Sequence, residues 1–385
     1  MAADDDDALI PEPDRAPNAP HPREVAALYG QRAAEAEFLT ALTGGRMHHG
    51  WLLTGPRGVG KATLAWRIAR HLIAHGAPQD SMDALFAPAP VESLAMDPEA
   101  PVFRRCAALS EPRLKLIRRT PDPKTKRMRT QIVVDDVRTL RDFTGLSAAD
   151  GGWRAVIVDP AEEMNPAAAN AILKMLEEPP ARCIFLLVSH APARLLPTIR
   201  SRCRTLALRP LDEGALVRAA SEAAPDLPPP SEALAELAGG SVGEALRLAA
   251  ADGTDIYAEL LQLLRNAPGM DRDAAHRLAE SAAGPGTEGA REMLARLGAV
   301  FAQRMARAAA MGPPRAEAGP GEARMMARLA ATDAQARIWA EAAASWEARL
   351  DRALGVNLDP GQAFLDTLLA LDAAAGRAAS VPERA

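Results

Sequence analysis

One short stretch constrains this chain more than any other. It is Gly55-Pro56-Arg57-Gly58-Val59-Gly60-Lys61, set between the apolar run Gly50-Trp51-Leu52-Leu53-Thr54 and a helical pattern over residues 63–74. In a Gly-x-x-x-x-Gly-Lys loop the glycines let successive backbone amides curl around phosphate oxygens, while the lysine ammonium reaches the terminal phosphates. The chemistry needs a buried strand before the loop and a helix after it, because the helix N-terminus supplies part of the field that holds the anion. Gly55, Gly58, Gly60 and Lys61 are therefore candidate nucleotide-binding residues. One position breaks the pattern: Ala62 stands where a Ser or Thr hydroxyl would bind magnesium. Thr63 lies about 100° further round a helix and does not simply replace it. Whether nucleotide binds is thus a separate question from whether the loop is present.

The remaining periodicity builds an α/β core around this loop. Strands are predicted over residues 50–54, 155–159 and 184–189, with helices over 63–74, 136–146 and 165–176. Strands that alternate with helices imply a parallel sheet. Residues 114–117 and 130–134 read as two further strands joined through Pro121-Asp122-Pro123-Lys124. An amphipathic helix is expected over residues 25–42, and the prolines of residues 76–112 mark an insertion whose conformation the pattern does not give. Past Arg209-Pro210 the strands stop. Short helices are expected over 215–223, 231–238 and 241–250, followed by Ala/Leu-rich helix to Leu371. Residues 1–20 are acidic and Pro-rich without periodicity, the composition of a disordered tail.

Two further stretches carry chemistry. Val156-Ile157-Val158-Asp159 is an apolar strand ending in a carboxylate, which places Asp159 near the metal of a bound nucleotide. Pro160 follows it, and the nearby Glu162 and Glu163 read as the acidic start of a helix, favoured by the helix dipole. Asn170-Ala171-Ile172-Leu173-Lys174-Met175-Leu176-Glu177-Glu178-Pro179-Pro180 is followed by Ser189-His190-Ala191-Pro192 and by Leu195-Leu196-Pro197-Thr198-Ile199-Arg200-Ser201-Arg202-Cys203. On these segments the chain resembles the clamp-loader AAA+ ATPases, and it is similar to the delta-prime subunits of bacterial DNA polymerase III over about residues 22–250. Farther on, only Val356-Asn357-Leu358-Asp359-Pro360 and the helical character resemble that family.

The resemblance implies an AAA+ P-loop NTPase-like α/β domain over residues 21–209, a small helical lid over 210–252 and an all-α collar over 253–385. It implies that Arg202 is an arginine finger acting in trans on a neighbouring subunit's ATP. Active members place a glutamate after the strand aspartate and an arginine in a Gly-Ser-x-Arg-x-Ala-Leu segment; here Pro160 and Gly243 occupy those positions. Ala62, Pro160 and Gly243 together remove the metal ligand, the water-activating carboxylate and the sensing cation from one site. The implied role is a non-hydrolysing component of the DNA polymerase III holoenzyme. It would assist ATP-dependent loading of a sliding clamp onto primed DNA, with motor (gamma/tau) and delta subunits as partners. Weak ATP or ADP binding without turnover stays compatible with the loop. Relatives commonly insert a four-cysteine zinc module after the loop helix, whereas Arg104-Arg105-Cys106 keeps one cysteine, so no zinc is expected. A competent ATPase of the motor type, using Thr63 or a water in place of the missing ligand, is the alternative.

Composition sets the outer limits. A net charge of −5 argues against a free-standing DNA-binding protein. Three scattered cysteines and the absence of an apolar run long enough to span a bilayer fit a soluble, cytoplasmic chain. The basic residues Arg113, Lys115, Arg118, Arg119, Lys124, Lys126, Arg127 and Arg129 suit either DNA phosphates or a solvated hairpin, with no aromatic residue among them to stack a base. His71 and His75 read as helix C-terminal residues favoured by the dipole, and Trp339 and Trp346 as core or interface.

Overall fold

The computed structural model describes residues 12–16, 18–45, 47–77, 91–145, 152–284, 287–314, 316–355 and 358–382. The start of the acidic tail, residues 78–90 of the Pro-rich insertion, and Val356 and Asn357 lie outside them. The chain divides into two compact units: Met1–Pro225 with Gly240–Gly243, and Asp226–Gly239 with Glu244–Ala385.

The first unit is built on a five-stranded parallel sheet. Its strands are β1 (Gly50–Thr54), β2 (Leu114–Ile117), β3 (Arg154–Val158), β4 (Cys183–Ser189) and β5 (Arg204–Ala207), in the spatial order β2-β3-β4-β1-β5. Every residue of β4 is buried, as a central parallel strand covered on both faces requires. The helices are α1 (Arg32–Thr43), α2 (Lys61–His75), α3 (Pro101–Ala107), α4 (Val134–Gly145), α5 (Pro166–Glu177), α6 (Pro197–Arg200) and α7 (Glu213–Ala223). Because all five strands run the same way, Thr54, Ile117, Val158 and Ser189 end on one edge of the sheet. Ligands of parallel α/β sheets bind outside that edge.

Four expectations need correction. Helix α1 starts at Arg32 rather than near residue 25, because the preceding carbonyls are engaged elsewhere. Buried Arg70 on α2 donates to Arg23 O at 3.2 Å and Val25 O at 2.9 Å, and Arg67 donates to Ala26 O. Residues 130–134 form no strand: Ile132 makes one isolated bridge to Met164, and the Asp136 carboxylate accepts the Val133 amide at 2.9 Å, turning the chain into α4. Strand β5 was not anticipated, since only Leu206 of its four residues is buried and no apolar pattern marks it. Finally, residues 12–16 and 18–20 are not a patternless tail. They fold as turns, with the Asp14 side chain almost fully buried against His21. The insertion, for its part, contains α3, whose Phe103 ring lies 4.1 Å below the Arg70 guanidinium.

The second unit is helical: α8 (Glu232–Ala238), the continuation of α9 (Val242–Ala250), α10 (Gly253–Leu264), α11 (Arg272–Ser281), α12 (Glu288–Met311), α13 (Glu322–Leu329), α14 (Asp333–Gly355) and α15 (Pro360–Ala379). Trp339 and Trp346 are core residues. Their indole N–H groups donate to Leu329 O at 2.8 Å and Ala295 O at 2.5 Å. A Cβ on Gly298 would sit 2.0 Å from the Trp346 ring, so α12 and α14 approach closely only because that residue is glycine. A buried polar group ties four helices: Glu322 accepts from Arg304 at 2.7 and 2.9 Å and from Tyr257 at 2.7 Å, while Arg304 also holds Glu236 at 3.0 Å. No helix among the described residues is long and apolar enough to cross a membrane.

Arg70 is the side chain that fixes the path of residues 23–25. Arg70→Ala is expected to lower the unfolding free energy by about 2–4 kcal/mol in a denaturant titration. Arg70→Lys should recover only part of it, because one ammonium does not span both carbonyls. A loss within about 0.5 kcal/mol of zero would contradict this role.

Candidate nucleotide site and arginine loop

The glycine loop leaves β1 and enters α2 as the motif requires. Gly58 and Gly60 take φ of +73° and +100°, a region open to glycine at little cost. Space matters as much as φ at Gly58, where a Cβ would lie 2.1 Å from Ser241 Oγ. The loop is pinned on two sides. Gln31 donates to Val59 O at 3.0 Å and to Arg209 O at 2.7 Å, and the Val242 amide donates to Gly58 O at 3.0 Å. The start of α9 therefore sits directly on the loop crest. Gly243 lies there too, its α-carbon side facing Gly58, and presents no cation.

Lys61 is buried, and its ammonium donates to Gly55 O at 2.7 Å and to Pro56 O. Burial pushes its pKa down to about 8, against the opposing pull of the Asp159 charge. Asp159, just beyond β3, is buried too. Desolvation first, and the neighbouring Asp14 carboxylate second, push it up to about 8, with Lys61 opposing. The structure therefore brings Gly55, Gly58, Gly60, Lys61 and Asp159 together at one edge of the sheet.

Glu162 and Glu163 lie on a single 3-10 turn, Ala161–Glu163, rather than at the start of a long helix. Glu162 accepts the amides of His190 at 2.8 Å and Ala191 at 3.2 Å. Burial would raise its pKa, but its own amide, the His190 amide and the Ser189 hydroxyl outweigh it and hold it below the usual carboxylate value. Glu163 pairs with Arg119 at 2.7 Å. Glu162 thus caps the backbone after β4 through one oxygen, and Glu163 is ion-paired to Arg119. His190 closes this wall. Burial and the Lys61 charge push it down to about 4, so it is neutral.

Arg202 does not join these residues. It follows α6 and precedes β5, and its carbonyl lies 3.1 Å from where a Cβ on Gly50 would be, at the first residue of β1. The glycine loop leaves the far end of the same strand, about 13 Å away at ~3.3 Å per residue. Arg202 reaches outward from that opposite edge, roughly a third exposed. Its guanidinium is held by Glu177 Oε1 at 2.8 Å and Thr198 O at 3.1 Å.

Other basic residues are committed as well. Arg113 pairs with Glu111 at 3.1 Å, Arg118 with Glu12 and Asp14, and Arg129 bonds Thr120 at 3.0 Å, while Lys124, Lys126 and Arg127 are exposed on the hairpin closed by the Pro121–Met128 bridge. His71 is neutral rather than a dipole-stabilised cation, pushed down to about 4 by burial and by His75. Cys106 is a core thiol that burial pushes up to about 12. Sequence reasoning missed Asp14, Arg118, Arg119 and His190 as parts of this site. For the last three a signal existed: Arg118 and His190 directly follow strands that end on the loop's edge, and Arg119 comes one residue later.

Parallel sheet, glycine loop and edge carboxylate define a P-loop α/β core of the AAA+ type joined to a helical C-terminal part. The family model described as "DNA polymerase III, delta subunit" matches residues 30–212. The chain is 35% identical to the DNA polymerase III subunit delta′ of Pseudomonas aeruginosa over 249 residues, covering 64% of this chain and 69% of that protein. It belongs to the family of DNA polymerase III delta-prime subunits. A gamma/tau subunit of Mycobacterium bovis is 32% identical over 182 residues, 47% of this chain and 28% of that longer protein. Among solved structures, a DNA polymerase III gamma subunit-related protein from Thermotoga maritima is matched at 18% identity and a TM-score of 0.38, over 88% of this chain and 99% of that one.

The Asp159 environment makes a pH prediction. Its folded pKa is raised above the unfolded value near 3.9, so between about pH 4 and 8 the native state binds the extra proton. Stability is then full below pH 4 and declines as pH rises, by at most about 1.4 kcal/mol per pH unit. Asp159→Asn should flatten that part of the Tm-against-pH curve and raise Tm at pH 8. An unchanged slope, or a lower Tm at pH 8, would contradict the assignment.

Proposed function

We propose that this chain is a delta-prime-type clamp-loader subunit that assists ATP-dependent loading of a sliding clamp onto primed DNA while leaving hydrolysis to its neighbours. The observation that carries this reading is the separation of two chemistries across one sheet. The loop edge holds a nucleotide-like site without metal hydroxyl, free carboxylate or sensing arginine. The opposite edge presents Arg202, anchored and exposed, where it can reach only another molecule's phosphates. A guanidinium delivered to a neighbour's transferred phosphoryl group neutralises developing charge and is worth about 10³ or more in rate for arginine fingers generally.

On this reading the motor (gamma/tau) and delta subunits are the partners, and the clamp and primer-template DNA are engaged through the complex. Residues 210–252 serve as lid and 253–385 as the collar that joins the other subunits. No nucleotide is turned over on this chain, no zinc is held, and the protein works in the cytoplasm. Membership of the delta-prime family and the similarity to a gamma/tau subunit support that assignment. Glu177 takes a positioning role, since it is the carboxylate that aims the Arg202 guanidinium.

In a reconstituted clamp loader, Arg202→Ala is expected to leave assembly intact and to lower turnover at the site facing Arg202 by about 10³-fold. DNA-stimulated ATPase of the complex then falls by that site's full share. Glu177→Gln, which removes only an exposed ion pair worth up to ~1 kcal/mol, should cost at most about fivefold. Unchanged ATPase with Arg202→Ala would remove the trans role.

A further inference from the structure

The chain's own N-terminal segment lies against the glycine loop. Asp14 and His21 are both almost completely buried, with His21 Nε2 and Asp14 Oδ2 3.0 Å apart. The Arg23 amide donates to His21 Nδ1 at 3.1 Å, and the other ring nitrogen faces the Asp14 carboxylate. Asp14 also accepts from Arg118, and Glu12 accepts from Arg23 and, at 3.3 Å, from Arg118. Two carboxylates are thus set among two guanidiniums and an imidazole.

The anchors locate the segment. Arg118 directly follows Ile117, whose carbonyl accepts the Asp159 amide at 3.0 Å, so the Asp14–Arg118 pair stands at the same sheet edge as Asp159. The Asp14 charge is one of the causes that raise Asp159. On the other side, Ala16 Cβ lies 3.4 Å from where a Cβ on Gly243 would be, and Gly58 Cα lies 3.7 Å from the same point. Residues 14–16 therefore run from beside the strand carboxylate to the loop crest. In a P-loop core that interval is where a nucleotide's phosphates lie.

We infer that residues 12–16 are a built-in occupant of this nucleotide site, latched by Glu12 and Asp14 onto Arg23, Arg118 and His21, and that a nucleotide binds only by displacing them. The inference rests on reading the loop as a nucleotide site and is independent of the role of Arg202. It also links the two halves of the site: the latch brings an acidic side chain to the edge where phosphate charge would otherwise meet Lys61. A ligand that must first displace a segment binds more weakly by the fraction of time the site is open.

The test uses the full chain and ADP as probe. The double substitution Glu12→Gln with Asp14→Asn keeps the side-chain shapes and removes both charges. It is expected to tighten ADP binding about tenfold in calorimetric titration, which corresponds to a site covered about nine-tenths of the time. In the unaltered chain, amide hydrogen exchange at Arg15 and Ala19, whose amides donate to Glu12 O and Ala16 O, should be slowed about tenfold, and saturating ADP should remove that protection. That second measurement does not depend on the variant folding. Equal ADP affinity in the two chains, no binding in either, or exchange at these amides unaffected by ADP would each overturn the inference. ATP turnover by the double variant would instead overturn the non-hydrolysing reading and leave the latch standing.

Discussion

Helix α2 carries three buried cations, and each has to find oxygen inside the protein. Lys61 takes the carbonyls of Gly55 and Pro56, Arg67 takes Ala26 O and Glu35, and Arg70 takes Arg23 O and Val25 O. A buried charge left without partners costs several kcal/mol, so these bonds dictate the paths of the loops on both sides of the helix. The glycine loop is folded around its own lysine. Residues 23–26 are drawn along α2 as an extended strap, which delivers the preceding turns and Asp14 to the loop edge of the sheet. The site is thus assembled by the helix that follows the phosphate loop rather than by the loop alone.

The same constraint shapes the acidic groups near the loop. With Glu162 capping the amides after β4 and Glu163 paired to Arg119, the acidic groups near β3 are structural. Asp159 is left buried between Lys61 and another carboxylate, where it keeps its proton. Ala62 offers no hydroxyl and Gly243 no cation at this edge. Ser241 and Val242 pack directly on Gly58. At the opposite edge the requirement is reversed. Arg202 is about a third exposed, held by Glu177 and Thr198 O, and stands at the end of β1 opposite its own loop.

Much of this was legible from residue order. The glycine loop, four of the five strands, β1 to β4, and the helices α2, α4 and α5 follow from apolar periodicity, whereas the reading of Arg202, Pro160 and Gly243 comes from the resemblance to the delta-prime family. What escaped did so for physical reasons. Periodicity infers burial from apolar side chains and is blind to buried cations, so it extends α1 back over residues whose carbonyls Arg67 and Arg70 occupy. A Pro-rich acidic stretch reads as a solvated tail because its order depends on Arg118, about a hundred positions away. Strand β5 has a single buried residue and borrows its conformation from β1. The strand expected over residues 130–134 gave way to a local side-chain bond from Asp136, a competition between capping and pairing that composition does not settle.

The account's central claim is that this chain keeps a phosphate loop as architecture and contributes to hydrolysis only across an interface. Steady-state ATP turnover by the purified chain alone, measured beside a Lys61→Ala variant, tests it most directly. The account predicts no turnover above background in either protein, with and without magnesium and primed DNA. Turnover by the unaltered chain that Lys61→Ala abolishes would contradict it.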